Sequence, residues 1–192
     1  MVDILDLAPI LLSMVALYIS LLTQKQQTRV ALFDKRYELY HRAKEIIKFK
    51  NEIAKLKHPQ FQTNNGINFD FANSYFALWT GNNQSFCEEL NNIESEDIVR
   101  QFGIINGRKN NELKELDKIE LLYFLDENRE KILINFCSAY EKFVNDMILI
   151  SYGIDKSVNI LGSKEEFCKA AELFEDNLIN PVLRKFINVT KI

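Results

Sequence analysis

Glycine and proline are scarce in this 192-residue chain, at 6 and 3 residues, and it carries one tryptophan and 2 histidines. Few turn-formers among abundant Leu, Ile, Lys, Glu and Asn read as a predominantly α-helical protein. The 3 cysteines, Cys87, Cys137 and Cys168, are widely separated and odd in number. They match no zinc spacing, and with only His41 and His58 to join them no metal cage is expected. Three free thiols in a helical core fit a reducing compartment. No excess of basic charge exists either: the formal net charge is -3. The whole molecule therefore exerts no long-range pull on nucleic acid or anionic lipid. A Gly-rich phosphate loop, a nucleophile elbow, a Walker lysine and a paired-carboxylate motif are all missing, and no cofactor is expected.

What is present begins with an apolar run. Ile4 to Leu22 reads ILDLAPILLSMVALYISLL, with Asp6 as its only charge. A signal peptide would start with a basic region and end at a small-residue cleavage site, and neither pattern occurs here. The run reads as a retained transmembrane anchor within residues 1–27, followed by a cytosolic helical domain over residues 28–192. Lys25, Arg29, Lys35 and Arg36 follow the run, whereas only acidic side chains and the terminal amine precede it. The positive-inside rule then puts the N-terminus outside and the helical domain in the cytoplasm, as a single-pass inner-membrane protein.

Two details of the run bear on assembly. Its uninterrupted part, Leu7 to Leu22, would be only about 24 Å long as a helix, against about 30 Å of hydrocarbon. Short spans are accommodated by thinning the bilayer, by snorkelling or by oligomerising. Polar and small residues also recur in register: Asp6, Ser13, Ser20 and Gln27 fall every seven residues, with Pro9, Ala16 and Thr23 between them. At helical spacing they form one stripe, while the bulky apolar residues lie mainly away from it. The stripe either lines a polar conduit or forms a tight helix–helix seam, and both readings require self-association or a membrane partner.

Thr23 to Lys57 contains no helix breaker, so the membrane helix is expected to continue into a long cytosolic one. The loop is placed at residues 58–66, a helix over FDFANSYFALWTG, two short helices within 84–104 and a turn at GRKNN (Gly107 to Asn111). Asp126 is expected to cap a helix ending near Gly153. Ser163 with Glu166 forms a possible capping box, and Pro181 suits the first turn of a terminal helix. The sum is a bundle of about five helices. The aromatic residues, Tyr75, Phe76 and Trp79 among them, sit at helical spacing and read as core. The basic run from Lys44 to Lys57 reads as a solvated helix face, so no direct RNA contact is expected.

One short string, RYELYH (Arg36 to His41), carries a chemical signature. An Arg, four intervening residues and then a His is the motif of the HEPN ribonuclease superfamily, in which the two side chains meet at a dimer interface. His supplies an acid or base near neutral pH and Arg a cation for the phosphate transition state. Tyr37 departs from the polar residue usual after that Arg. Residues five apart on a continuous helix are also rotated by about 140°. With its N-terminal span, small helical domain and this motif, the chain resembles the small membrane accessory proteins of type VI-B CRISPR systems. The resemblance implies a HEPN-like fold and a ring-shaped, octamer-like homo-oligomer forming an inner-membrane pore. That pore would depolarise an infected cell in functional partnership with an RNA-guided RNase. It further implies that Arg36 and His41 are structural or interfacial. The alternatives are a membrane-anchored HEPN ribonuclease and a non-conducting membrane scaffold.

Overall fold

The computed structural model describes residues 4–56, 66–81, 86, 97–155 and 157–188, without the side chains of 4–8, 10, 11, 66–69, 98, 187 and 188. Apart from short turns those residues are helical, with no strand among them. The elements are α1 (Ile4–Lys55), α2 (Gly66–Gly81), α3 (Ile98–Tyr123), α4 (Glu127–Ser151), α5 (Ile160–Phe174), a π-helical segment (Glu175–Leu183) and the short α6 (Arg184–Asn188).

α4 is the centre of the bundle. Its buried residues, among them Leu133, Phe136, Tyr140, Phe143 and Met147, fall three and four apart and so form one apolar stripe. α5, α2 and α3 pack around it. The stripe of α5, from Ile160 through Phe167 to Phe174, meets that of α4 in a column of rings. Phe136 lies flat on Phe174 at 4.2 Å between centroids, and Phe143 stacks on Phe167 at 5.4 Å.

α1 belongs to this bundle only in its second half. Leu39, Ala43, Ile46, Ile47, Phe49 and Ile53 are buried, so the apolar row Leu39–Ile46–Ile53 faces the core. Tyr40 also packs against the core, whereas Val30 and Tyr37 of the same helix are exposed. Three lysines of this half, Lys44, Lys48 and Lys50, are paired. Lys44 reaches Glu175 at 3.2 Å, and the buried Lys50 lies 3.7 Å from Glu172.

Three local expectations are corrected. Gly107 to Asn111 does not turn: it lies inside α3, which runs unbroken from Ile98. A single glycine costs a helix only about 1 kcal/mol, and the packing of Ile105, Leu116 and Ile119 on either side outweighs it. The start of α5 is capped by Asn159, whose side chain accepts from the Gly162 amide at 3.1 Å. Ser163 instead sits inside the helix and donates to the Ile160 carbonyl. Pro181 does not open a new helix, because the chain passes from α5 straight into wider π turns. Proline has no N–H for the usual i−4 bond, and the Arg184 amide reaches back five residues to Ile179. The wide turns keep Leu178, Ile179, Val182 and Leu183 in the core. By contrast Asp126 caps α4 as expected, accepting from the Arg129 amide at 3.0 Å, and that helix closes at Ser151 with Gly153 left-handed. Cys87 and His58 lie outside the described residues.

Candidate functional site

Three places on the molecule concentrate unusual chemistry, and α1 joins two of them. The first is its N-terminal half. Leu12, Met14, Val15, Leu17, Tyr18, Ile19, Leu21 and Leu22 are all exposed, from 70% at Leu12 to 44% at Leu22. They surround the helix, and no other described element covers them. Fully burying such side chains is worth roughly 1.5–3 kcal/mol each. Eight left uncovered forgo on the order of 10 kcal/mol, beyond any ordinary exposed patch.

Among the described residues no helix is long and apolar enough to cross a membrane. Leu12 to Leu22 covers only about 16 Å of helix, half of a hydrocarbon core of about 30 Å. The sequence extends the apolar run back to Ile4, through positions whose side chains lie outside the description. Asp6 is among them. Pro9, Ser13, Ala16, Ser20, Thr23 and Gln27 are described and exposed. The Ser13 hydroxyl donates to the Pro9 carbonyl at 2.8 Å and that of Thr23 to the Ile19 carbonyl at 2.9 Å. Both hydroxyl protons are therefore used within the helix, which lowers the cost of placing them in an apolar setting.

The second place lies two to four turns further along α1. An open cleft of about 680 Å³ is lined by Arg29, Phe33 and Arg36 of α1, Tyr123 at the end of α3, Arg129 of α4 and the segment Pro181–Phe186. Local backbone chemistry gathers these parts. α3 stops at Phe124, which adopts a left-handed conformation at φ 51°, and the chain reverses at once into the Asp126 cap of α4. The π turns bring Val182, Lys185 and Phe186 to the opposite wall.

Arg36 is fixed in this cleft. Its Nε donates to the Leu122 carbonyl at 2.9 Å, and its guanidinium lies 4.5 Å from the Phe186 ring centroid and 5.7 Å from that of Tyr123. The Tyr123 hydroxyl donates to the Arg36 carbonyl at 2.8 Å, tying the two helices a second time. Burial pushes the Tyr123 phenol up to about 12 although the nearby Arg36 cation works against it, so the phenol stays a donor. His41 lies elsewhere. It is exposed, with its ring against Tyr37 at 4.4 Å and Tyr40 at 5.8 Å. The helix is unbroken between Arg36 and His41, so within one chain they do not form one site.

Arg36→Ala is therefore expected to lower unfolding free energy by about 1–3 kcal/mol, through loss of a charge-assisted bond and a cation–π stack. His41→Ala is expected to stay within about 0.5 kcal/mol of wild type. Urea denaturation of both variants checks this, and equal losses would contradict the division of roles.

The third place is a buried polar network between α2, α3 and α4. Trp79 Nε1 donates to the Tyr140 hydroxyl at 2.8 Å, and that hydroxyl donates to the Glu112 carboxylate. Arg108 Nε donates to Glu112 at 3.0 Å and its Nη2 to the Trp79 carbonyl at 2.8 Å. The Arg108 guanidinium also lies over the Trp79 ring at 4.5 Å and the Phe86 ring at 4.4 Å. Burial and the Glu112 carboxylate hold the Tyr140 phenol well above its ordinary value. Sequence reasoning took Trp79 as plain core and missed its polar partners. The available signal was Arg108 with Glu112 four residues on, the spacing of an intrahelical ion pair.

Comparison with protein-family models, with curated proteins and with solved structures gave no match. The described cysteines are not activated nucleophiles. Burial, with Asp117 and Glu141 nearby, pushes the Cys137 thiol up to about 12, and burial raises Cys168 as well. No group of three His, Cys, Asp or Glu side chains able to hold a metal occurs among the described residues.

Proposed function

We propose that the chain is a membrane protein whose α1 enters the bilayer from the cytoplasmic side and self-associates there, the helical bundle hanging below as a cytosolic domain. The supporting observation is the sleeve of uncovered apolar side chains from Leu12 to Leu22, on a helix that continues without interruption into the bundle. Such a sleeve is costly in water and suited to lipid. The flanking cations Lys25, Arg29, Lys35 and Arg36 orient it with the bundle inside.

Within that reading, a ring of α1 helices encloses a polar conduit lined by Asp6, Ser13, Ser20 and Gln27, and the assembly acts as a pore. The resemblance to the accessory proteins of type VI-B CRISPR systems gives the pore a role, depolarising the inner membrane in concert with an RNA-guided RNase, and gives the bundle a HEPN-like ancestry. Purified oligomer in liposomes should release a small trapped dye, and Ser13→Leu with Ser20→Leu should cut that release at least about tenfold while leaving assembly intact. Wild-type vesicles that stay sealed would end the pore reading.

One observation favours a second reading. Because the Ser13 and Thr23 hydroxyls are satisfied by their own helix, the stripe also suits a dry, close-packed seam. The assembly would then be a non-conducting scaffold, distinguished by intact rings in sealed vesicles. The ribonuclease alternative has less support, since Arg36 is held by Leu122 and Phe186 and His41 lies apart.

A further inference from the structure

The cleft beside Arg36 has a lining that no structural role of Arg36 explains. Four cations border it, Arg29, Arg36, Arg129 and Lys185, and among the described residues no carboxylate lines it. Arg129 is offset by Asp126 at 2.8 Å. Arg29 and Lys185 have no ion-pair partner among the described residues, and Arg36 spends only its Nε on the Leu122 carbonyl. Between the cations lie apolar and aromatic walls, Phe33 on one side and Phe186 on the other. Three uncompensated cations around an apolar trough repel one another unless an anion joins them. The trough in turn suits a ligand that is partly apolar.

We propose that this cleft binds a phosphate group carrying an apolar or planar portion, and that it meets this chemistry as the headgroup of an anionic phospholipid. The lipid source rests on the membrane reading of α1; the phosphate chemistry does not. Arg29 lies seven residues past Leu22, about 10 Å along the helix. The headgroup layer extends roughly 5–8 Å beyond the hydrocarbon. Side chains on a helix lean toward its N-terminus, here toward the bilayer, so the Arg29 guanidinium reaches that layer. Leu22, Arg29 and Arg36 follow one another at seven-residue spacing on one face. An acyl chain rising from the cleft would therefore run up the exposed Val15–Leu22 side of the same helix. Arg36, two turns deeper, holds the Phe186 wall and adds its charge. A soluble nucleotide offers the same chemistry, its phosphates to the cations and its base to Phe33 and Phe186.

The test uses full-length protein in a neutral detergent, with native mass spectrometry reading bound ligand. Dihexanoyl phosphatidic acid, dihexanoyl phosphatidylcholine and ATP are added separately as monomers. Wild type should bind phosphatidic acid at least about tenfold more tightly than phosphatidylcholine. Arg29→Gln with Lys185→Gln should erase that preference, a charge-assisted contact being lost at each exposed position. Lys142→Gln with Lys169→Gln removes the same charge at remote exposed sites and should keep the preference. ATP binding with the same dependence on Arg29 and Lys185 would support the phosphate site and make a soluble ligand its source. Absence of any preference in wild type, or equal loss in the remote pair, would overturn the proposal. Short-chain lipids bind from solution, so this outcome is independent of whether α1 proves to be membrane-embedded.

Discussion

Leu17→Asp combined with Ile19→Asp should move the protein out of the carbonate-resistant membrane pellet. Both side chains are more than half exposed, and neither touches the bundle. The substitutions therefore cost the folded helical bundle almost nothing. In a bilayer the account differs, because a carboxylate costs roughly 2.5–3.5 kcal/mol on insertion scales at the centre of a spanning helix and less toward its end, and both substitutions carry part of that cost. The apolar run is short to begin with, so little surplus hydrophobicity remains to absorb the loss. Fractionation of membranes from cells expressing the two forms reads the result directly. Circular dichroism of the released protein should still report a folded helical bundle. Wild-type protein that washes off in carbonate would sink the membrane reading, and a double variant that stays embedded would sink α1 as the anchor.

The second large effect lies in the bundle. Glu112→Ala should lower stability by about 3 kcal/mol, because it leaves the Arg108 cation mostly buried without its carboxylate. Arg108 is 13% exposed in its side chain, and it keeps only the Trp79 carbonyl and its two aromatic neighbours. The Tyr140 hydroxyl loses its acceptor at the same stroke. For a chain of this size such a loss corresponds to roughly 6–12 °C in melting temperature. Adding Arg108→Met to Glu112→Met should restore at least about half of the loss, since an apolar pair leaves no orphaned charge. Trp79 and Tyr140 retain their mutual hydrogen bond in that background. Thermal melts of the single and double variants decide it, and a shift under about 2 °C for Glu112→Ala would mean that water reaches the pair.

The helical architecture was legible because its cause is periodic. Three- and four-residue spacing of apolar side chains on α4 and α5, and the Asp126 cap, are local signals that the tertiary structure reinforces. Where reading failed, a local signal lost to packing. Gly107 marked a turn on propensity, yet the apolar residues on both sides of it pull one continuous helix across the bundle. Pro181 marked a helix start, yet the core holds Leu178 to Leu183 in wide turns that need no proline N–H. The stripe on α1 was legible as a pattern of residues, and its exposure is a property of the fold. The cleft was not legible. Arg29, Arg36, Arg129 and Lys185 are scattered over more than 150 residues of sequence, and only the reversal at Phe124 and the π turns bring them to one place.

α1 contains no glycine, and its single proline sits near its beginning. Nothing along its remaining length supplies a hinge. From Leu39, where the bundle grips it, to Ile4 the shaft measures about 52 Å. A tilt of about 10° at the grip carries the far end through about 9 Å, more than the diameter of a hydrated ion, whereas the same tilt moves Arg29 by less than about 3 Å. The stiffest element of the fold is thus a lever, with its fulcrum in the aromatic core and its long arm uncovered.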